Sequence, residues 1–494
     1  MLVTPSQMQK LEALTDQSGV SYGHMMERAG LALARVIMDR YPDRRHVLFL
    51  AGTGNNGGDC YAAAYHLKTN GWIPEVLSPF GEPASDIAKA ARDRAKREGI
   101  PMFGEAYDFV MQDKEIIVDG LYGTGFHGEL SDAARELLRD REGQIHIACD
   151  VPSGGLSDSG SVAEGTFRAD VTVTFGAEKL GMSQYPLRGL CGEIIVADIG
   201  FPKNAVLVPP PAQRLTLAGV QELLPQPKPD AHKNQLGHLL TVTGSRRMRG
   251  AAALAAEAAM RTGVGLVTCA SCDDALNAIV SRVPEAMCLP LFTDDKGFLL
   301  CEENHDELKQ ALDGKDALLI GCGFGITDAT RALTKFLLET STCPVVLDAD
   351  GLNIAASNIE WIPKGRTVLT PHPAEAARML GITTAEVQAD RPAAAKKLAM
   401  KTGAVVILKG AGSIVTDGRF VSVCNAGNPG MARAGSGDVL GGMTASFLAQ
   451  GMKPYDAACA AVMLHASAGD AAAAELPRGF MLPQDMIAYL QEVL

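Results

Sequence analysis

Apolar residues recur every three or four positions from Met8 to Tyr41, and across residues 23–38 (GHMMERAGLALARVIM) they fall on one helical face, so the chain is expected to open with one or two helices. The period then changes. HVLFLAGTGNNGGD is an unbroken apolar run of strand length ending in glycines, CYAAAYHLKTNG returns to helical spacing, and WIPEVLS reads as the next strand. EIIVDGLYGTGF and IHIACDVPSGG repeat the strand-then-glycine theme, and VTVTFGAEK and EIIVADIG add strands near residue 200. Continuous apolar strands alternating with helices predict an α/β fold whose mainly parallel sheet is flanked by helices on both faces.

Residues 201–230 break this rhythm with the proline clusters VPPPAQ and LPQPKPDA, which propagate neither a helix nor an interior strand. A domain boundary is expected near residue 210, giving domains 1–210 and 211–494. The second half restarts the alternation: HLLTVTGS, an alanine-rich helix over 251–261, GLVTCAS, DALLIGCGFG, PVVLDADG, RTVLTPHP and VVILKGAGSIVTDG, the last ending as a hairpin around Thr416, Asp417 and Gly418. Apart from this punctuation the halves share no internal repeat. Length agrees with two domains, since 494 residues exceed the ~250–300 at which single cores stop growing.

Composition (47% hydrophobic, 21% charged) is that of a chain able to bury two cores, with no tract that reads as disorder. The net charge of -12, with scattered Lys and Arg, argues against a nucleic-acid or membrane partner. The eleven cysteines show neither a paired framework nor a second C-x-x-C to complete a zinc spacing, so reduced thiols are expected. No basic leader opens the sequence and no apolar stretch approaches a membrane span, from which a soluble, cytoplasmic protein is expected.

In an open parallel sheet, ligands bind outside the carboxyl ends of the strands. Three loops of the first half fall there: Gly52 to Asp59, Asp119 with the segment from Gly123 to Glu129, and Asp150-Val151-Pro152-Ser153-Gly154. Glycines can bring backbone N–H groups to a phosphate at a helix N-terminus, and each strand delivers an acid or amide at its tip. Loop punctuation and helix caps would use the same residue types. The ordered set N-N-G-G-D, D-G-x-x-G-T-G and D-V-P-S-G, with Met26-Glu27-Arg28-Ala29-Gly30 before it, resembles the NAD(P)H-hydrate epimerase family over about the first 210 residues. That resemblance implies a Rossmann-like domain in which Asn55, Asn56, Gly57, Gly58, Asp59, Gly123, Thr124, Gly125, Phe126, His127, Gly128 and Glu129 contact a hydrated dinucleotide. It makes Asp150 the catalytic acid and places a potassium ion on Asn56, Asp119 and Ser153, whose oxygens suit a hard cation. Cys60 stands where the family usually has glycine, and its side chain could crowd the phosphate.

In the second half, Ala434-Gly435-Ser436-Gly437-Asp438 leads into an apolar helix, which puts backbone donors around an anion with a carboxylate beside it. The run resembles the signature of the ribokinase-like superfamily. Together with the segment 232–238 (HKNQLGH), Gly323 in GCGFG, DADGLN, Pro371-His372-Pro373 and Lys409-Gly410-Ala411-Gly412-Ser413, it resembles the ADP-dependent NAD(P)H-hydrate dehydratase family from about residue 215 to the end. The resemblance implies that Lys409, Gly410, Ala411, Gly412, Ser413 and Gly437 line the nucleotide, while Ala251, Gly323, His372 and Asp438 contact the hydrated cofactor. Asp438 would be the base that deprotonates the substrate hydroxyl as it attacks a phosphoryl group. Asp348 and Asp350 could equally be metal or substrate ligands or helix caps, and His372 a structural loop histidine. The expected function is therefore bifunctional: epimerisation of R and S hydrates of NADH and NADPH, and ADP-consuming dehydration of the S form to NAD(P)H, AMP and phosphate. Mg2+ with ADP and assembly as a homo-oligomer are expected. The alternative is a ribokinase-like vitamin or sugar kinase carrying a non-catalytic dinucleotide-binding module.

Overall fold

The computed structural model describes residues 1–104, 114–202 and 205–494, which form two compact units, Met1–Ala212 and Gln213–Leu494. In the first unit, the helix Pro5–Gln17 starts where Thr4 caps it reciprocally with Gln7 and a proline fills its first position. It is followed by the amphipathic helix Tyr22–Arg40. The strands are β1 (Leu2–Val3), β2 (His46–Ala51), β3 (Ile73–Leu77), β4 (Met102–Phe103), β5 (Ile116–Gly120), β6 (Ile145–Cys149), β7 (Val171–Phe175), β8 (Glu178–Lys179) and β9 (Glu193–Ala197). Seven of them form one all-parallel sheet in the order β4-β3-β2-β5-β6-β7-β9, while β1 pairs with β8. Alternate residues serve opposite faces. Val47, Phe49, Ile116, Val118 and Ile147 join one apolar cluster with the helices, and Leu48, Leu50, Ile117 and Ala148 join a second. Burial on both faces explains why these strands read as continuous apolar runs.

The second unit holds one ten-stranded sheet, ordered β10-β19-β18-β17-β16-β15-β14-β11-β12-β13. Its strands are β10 (Gln213–Arg214), β11 (His238–Val242), β12 (Leu266–Ser271), β13 (Met287–Pro290), β14 (Ala317–Ile320), β15 (Val345–Leu347), β16 (Thr367–Leu369), β17 (Val405–Leu408), β18 (Ser413–Thr416) and β19 (Val421–Cys424). Parallel pairing runs from β13 to β17, and β17-β18-β19 then turn antiparallel. The helix Ser436–Ala449 is buried from Val439 to Ala449, packed between the sheet and the helix Arg249–Arg261. At Gly442 the two helices come so close that a Cβ would lie 2.2 Å from the Ala255 carbonyl oxygen.

One expectation needs correction. The helix Pro454–Glu475 has the length and mean hydropathy of a membrane span, but 78% of its apolar window is buried and it packs on β16, β17, β18 and β19. Its alanines and glycine, rather than a continuous leucine-type run, hid that hydropathy in the sequence.

Candidate active sites

Strand order in the first unit reverses between β2 and β5, so the loops leaving β2, β5 and β6 open onto one crevice. A cleft of about 560 Å3 lies there, lined among others by Asn55, Asn56, Asp59, Gly123, Thr124, Gly125, Phe126 and Asp150, with Glu12 and Tyr122. Gly57 and Gly58 do not line it. A Cβ on Gly57 would lie 2.0 Å from the Gly52 carbonyl oxygen, and one on Gly58 would meet Met26 at 2.5 Å, so both are close-packing positions beneath the helix Asn55–Thr69. His127, Gly128 and Glu129 are exposed and outside the cleft lining. Cys60 is fully buried and turned toward Gly120, where a Cβ would lie 2.2 Å from its sulfur, so it does not reach the cleft.

Asp150 follows β6 with a left-handed backbone (φ 69°) and donates its N–H to the Val173 carbonyl at 2.8 Å. Its Oδ1 accepts from the Thr174 hydroxyl (3.0 Å), the Phe175 N–H (3.2 Å) and the ammonium of Lys179, a side chain with no solvent exposure. Lys179 also donates to the Thr174 hydroxyl at 2.8 Å. Burial, then the charges of Asp150 and Glu12, push the Asp59 carboxyl well above its ordinary range, with Lys179 opposing.

Asp119 is fully buried at the end of β5. Its Oδ1 accepts from Ser153 Oγ (2.6 Å) and the Leu121 N–H (3.2 Å), and its Oδ2 from the Ser153 N–H (2.7 Å). Asn56 Nδ2 donates to the Tyr122 carbonyl at 3.0 Å, and the Tyr122 N–H donates to Ser153 Oγ at 2.8 Å, so the three loops meet at one point. Burial pushes Asp119 up to about 6 against these hydrogen bonds, and no side-chain cation among the described residues pairs with it. A buried carboxylate next to hydroxyl and amide groups, lacking a counter-charge, fits a monovalent cation.

The second unit reverses strand order between β11 and β14. Gly435 (φ 99°) is the N-cap of the helix Ser436–Ala449 and no side chain caps its first turn, leaving the Gly437 and Asp438 amides open to an anion. Asp438 is thus inside the first turn, not the cap. Burial and the neighbouring Asp348 push it up to about 6, with Cys322 and Lys409 opposing. Asp348, at the tip of β15, accepts from the Thr370 hydroxyl (2.6 Å) and the Lys409 ammonium (2.8 Å), and Cys322 Sγ is 3.7 Å from its other oxygen. The residue after it, Ala349, has φ 48°. A Cβ on Gly437 would lie 3.3 Å from Lys409 Nζ, which ties the anion loop to the same centre.

Around this centre, Gly410 to Ser413 form a tight turn in which Ser413 Oγ accepts from the Gly410 N–H (3.2 Å) and donates to its carbonyl (2.8 Å). A Cβ on Gly323 would lie 2.9 Å from Ala251 Cβ, so these two expected contacts are neighbours. His372 caps the helix Pro373–Leu380 by accepting at Nδ1 from the Ala374 N–H (3.1 Å), which leaves Nε2 as its donor, 3.4 Å from Glu375 Oε1. Burial, then Lys409 and Arg378, push its pKa down, which favours the neutral ring. Asp350 accepts the Gly325 N–H at 2.7 Å and is spent on that loop.

The family model described as YjeF-related protein N-terminus matches residues 23–181, and the one described as NAD(P)H-hydrate dehydratase matches 239–492. The chain is 36% identical to the bifunctional NAD(P)H-hydrate repair enzyme Nnr of Coxiella burnetii over 98% of this chain and 97% of that one. It belongs to the bifunctional NAD(P)H-hydrate repair enzymes. The Escherichia coli K12 member is 33% identical over 97% of this chain and 91% of its own. Among solved structures, a hypothetical protein from Streptococcus mutans aligns with a TM-score of 0.51 at 25% identity, over 57% of this chain and 99% of that one. A ribokinase-like superfamily protein from Enterococcus faecalis aligns at 0.50 and 24%, over 59% and 99%, and shows the fold.

As in other repair enzymes of the family, an epimerase domain stands N-terminal and a dehydratase domain C-terminal. Sequence reading missed three residues of these sites. Lys179 looked like the end of a short strand, and Glu12 like the polar face of an amphipathic helix. Arg391, held at about 10 by burial, donates to the Leu408 and Lys409 carbonyls and steadies the turn after β17; it was one arginine among many. A lysine closing the otherwise uncharged run VTVTFGA after Glu178 was the available signal for Lys179.

Proposed function

We propose that Asp150, fixed by Lys179, acts in epimerising the hydrated dihydronicotinamide, and that Asp438 is the base of ADP-dependent dehydration. In the second unit Asp438 lies beside open amides, a lysine and a turn suited to a nucleotide. Deprotonating the C6 hydroxyl there lets it take a phosphoryl group, which the Gly437 and Asp438 amides steady. Expulsion of phosphate then restores the ring double bond. The convergence of Asp438, Asp348, Lys409 and Gly437 at one switch point is the observation that carries this reading. Lys409, Gly410, Ala411, Gly412, Ser413 and Gly437 would hold the nucleotide with Mg2+, and Ala251, Gly323 and His372 the hydrated ring. Asn56, Asp119 and Ser153 would hold potassium, whose charge would offset Asp119. Eleven free cysteines support work in a reducing, cytoplasmic setting.

The test supplies the purified chain with mixed R and S NADPH hydrates, ADP, Mg2+ and K+, following NADPH by absorbance and each epimer by chromatography. Both epimers are expected to disappear, with AMP and phosphate formed in step. Consumption of the S form alone would remove the epimerase assignment, and a stable phosphoester without NADPH would replace the dehydratase by a kinase.

A further inference from the structure

Inverting C6 of a hydrated ring makes two demands. The departing hydroxyl must take up a proton, and the water that returns on the other face must give one up. Asp150 is badly placed for the first. Its Oδ1 already accepts from the Thr174 hydroxyl, the Phe175 N–H and the buried Lys179 ammonium. Three donors on one oxygen hold this carboxylate in place, which suits it to face the ring rather than to carry a proton to and fro. A carboxyl without such donors is better placed for the transfer.

Two other carboxyls line it: Asp59, in the first turn of the helix Asn55–Thr69, and Glu12, from the helix Pro5–Gln17. Among the described residues, none donates a hydrogen bond to either carboxyl. Burial raises both above the ordinary carboxylate range, and Asp150 adds to each. Asp59 is the more strongly affected, by burial first and then by Asp150 and Glu12, with Lys179 opposing. A cleft carboxyl whose protonated form burial favours, and to which no neighbouring group donates, is the kind of group that can lend a proton.

We propose that Asp59 is the proton-transferring group of the epimerase, passing its proton to the C6 hydroxyl while Asp150, held in place by Lys179, faces the ring. The inference rests on the epimerase reading of this unit. In the forward step the C6–O bond breaks with its electron pair going to oxygen, and the Asp59 proton completes a water molecule. The N1 lone pair closes an N1=C6 double bond, and the cationic ring faces the Asp150 carboxylate. In the return step the planar ring presents its other face to Asp59, a water lone pair forms the new C6–O bond there, the double-bond electrons return to N1, and the Asp59 carboxylate takes the water's proton. No oxidant or reductant is involved.

The experiment uses the full chain without ADP, purified R hydrate of NADPH and 18O-enriched water, with epimers separated by chromatography and weighed by mass spectrometry. The wild type is expected to introduce one 18O at C6 with each inversion. Asp59→Asn is expected to slow inversion about 10²–10⁴-fold, while its dehydration of the S hydrate with ADP stays at the wild-type rate and Glu12→Gln changes inversion only a few-fold. Inversion by Asp59→Asn at the wild-type rate would overturn the proposal, as would a loss confined to Glu12→Gln. Inversion by the wild type without 18O uptake would also overturn it, since the C6–O bond would then have stayed intact. That isotope result stands whether or not any variant folds. A wild type no faster than the solution reaction would remove the epimerase reading and this proposal with it.

Discussion

Asp438 and Asp119 are both carried to about 6 by burial, but the consequences run in opposite directions. A base must be ionised to act, so dehydration kcat/KM is expected to fall as pH drops through about 6, and Asp438→Asn to lower it roughly 10²–10⁴-fold with epimerisation intact. Steady-state assays of the two half-reactions across pH check this. For Asp119, a folded pKa of about 6 against the ordinary 3.8 means the folded chain binds more protons between those values. Its charge therefore costs stability above pH 6, and the cost is relieved as pH falls toward 4. If potassium offsets that charge, K+ should raise the melting temperature of the wild type more at pH 7.5 than at pH 5, and Asp119→Asn should abolish the difference. A scanning-calorimetry series in KCl and in a tetraalkylammonium salt reads it directly. Removing Lys409 should be costlier still. Lys409→Met leaves Asp348 buried without a counter-charge, an expected loss of roughly 3–5 kcal/mol by denaturant titration.

At the scale of elements, the sequence announces what is buried on both sides and conceals what is short or local. β2, β5, β6, β11 and β14 were legible because two-faced burial leaves runs such as HVLFLA and ALLI without polar interruption. β4, β10 and β13 were not, since two to four partly exposed edge residues carry neither period nor apolar run. Loop acids at strand tips were legible for the same reason as the strands. Glu12 and Lys179 were not, because only the fold brings a first-helix residue to the cleft and a buried β8 residue against Asp150. The NNGGD loop shows the same limit: both its glycines were read as ligand contacts, and both sit at close-packing positions. Gly57→Ala is accordingly expected to destabilise the first unit by about 1–3 kcal/mol, as over-packing does, because the added methyl meets the Gly52 carbonyl at 2.0 Å. Chemical denaturation followed at Trp72, in that unit, measures the loss.

For the molecule as a whole, two activities on one chain raise the question of whether a substrate must be handled by a single polypeptide. If the hydrates pass between sites through solution, an equimolar mixture of Asp150→Ala and Asp438→Asn chains should convert both epimers at a rate that neither variant alone reaches. Failure of the mixture, with each variant retaining its other activity, would show that substrate does not pass through solution. Each unit also holds one non-glycine residue with a left-handed backbone among the described residues, Asp150 in the first and Ala349, directly after Asp348, in the second. Such conformations cost of order 1–3 kcal/mol and persist where the surroundings enforce them. For anyone engineering a heat-resistant variant, Ala349 is thus a trap. Ala349→Gly would relax the backbone and raise the melting point of its unit, yet it would free the chain next to Asp348, whose side chain must meet Lys409 and Thr370, exchanging turnover for durability.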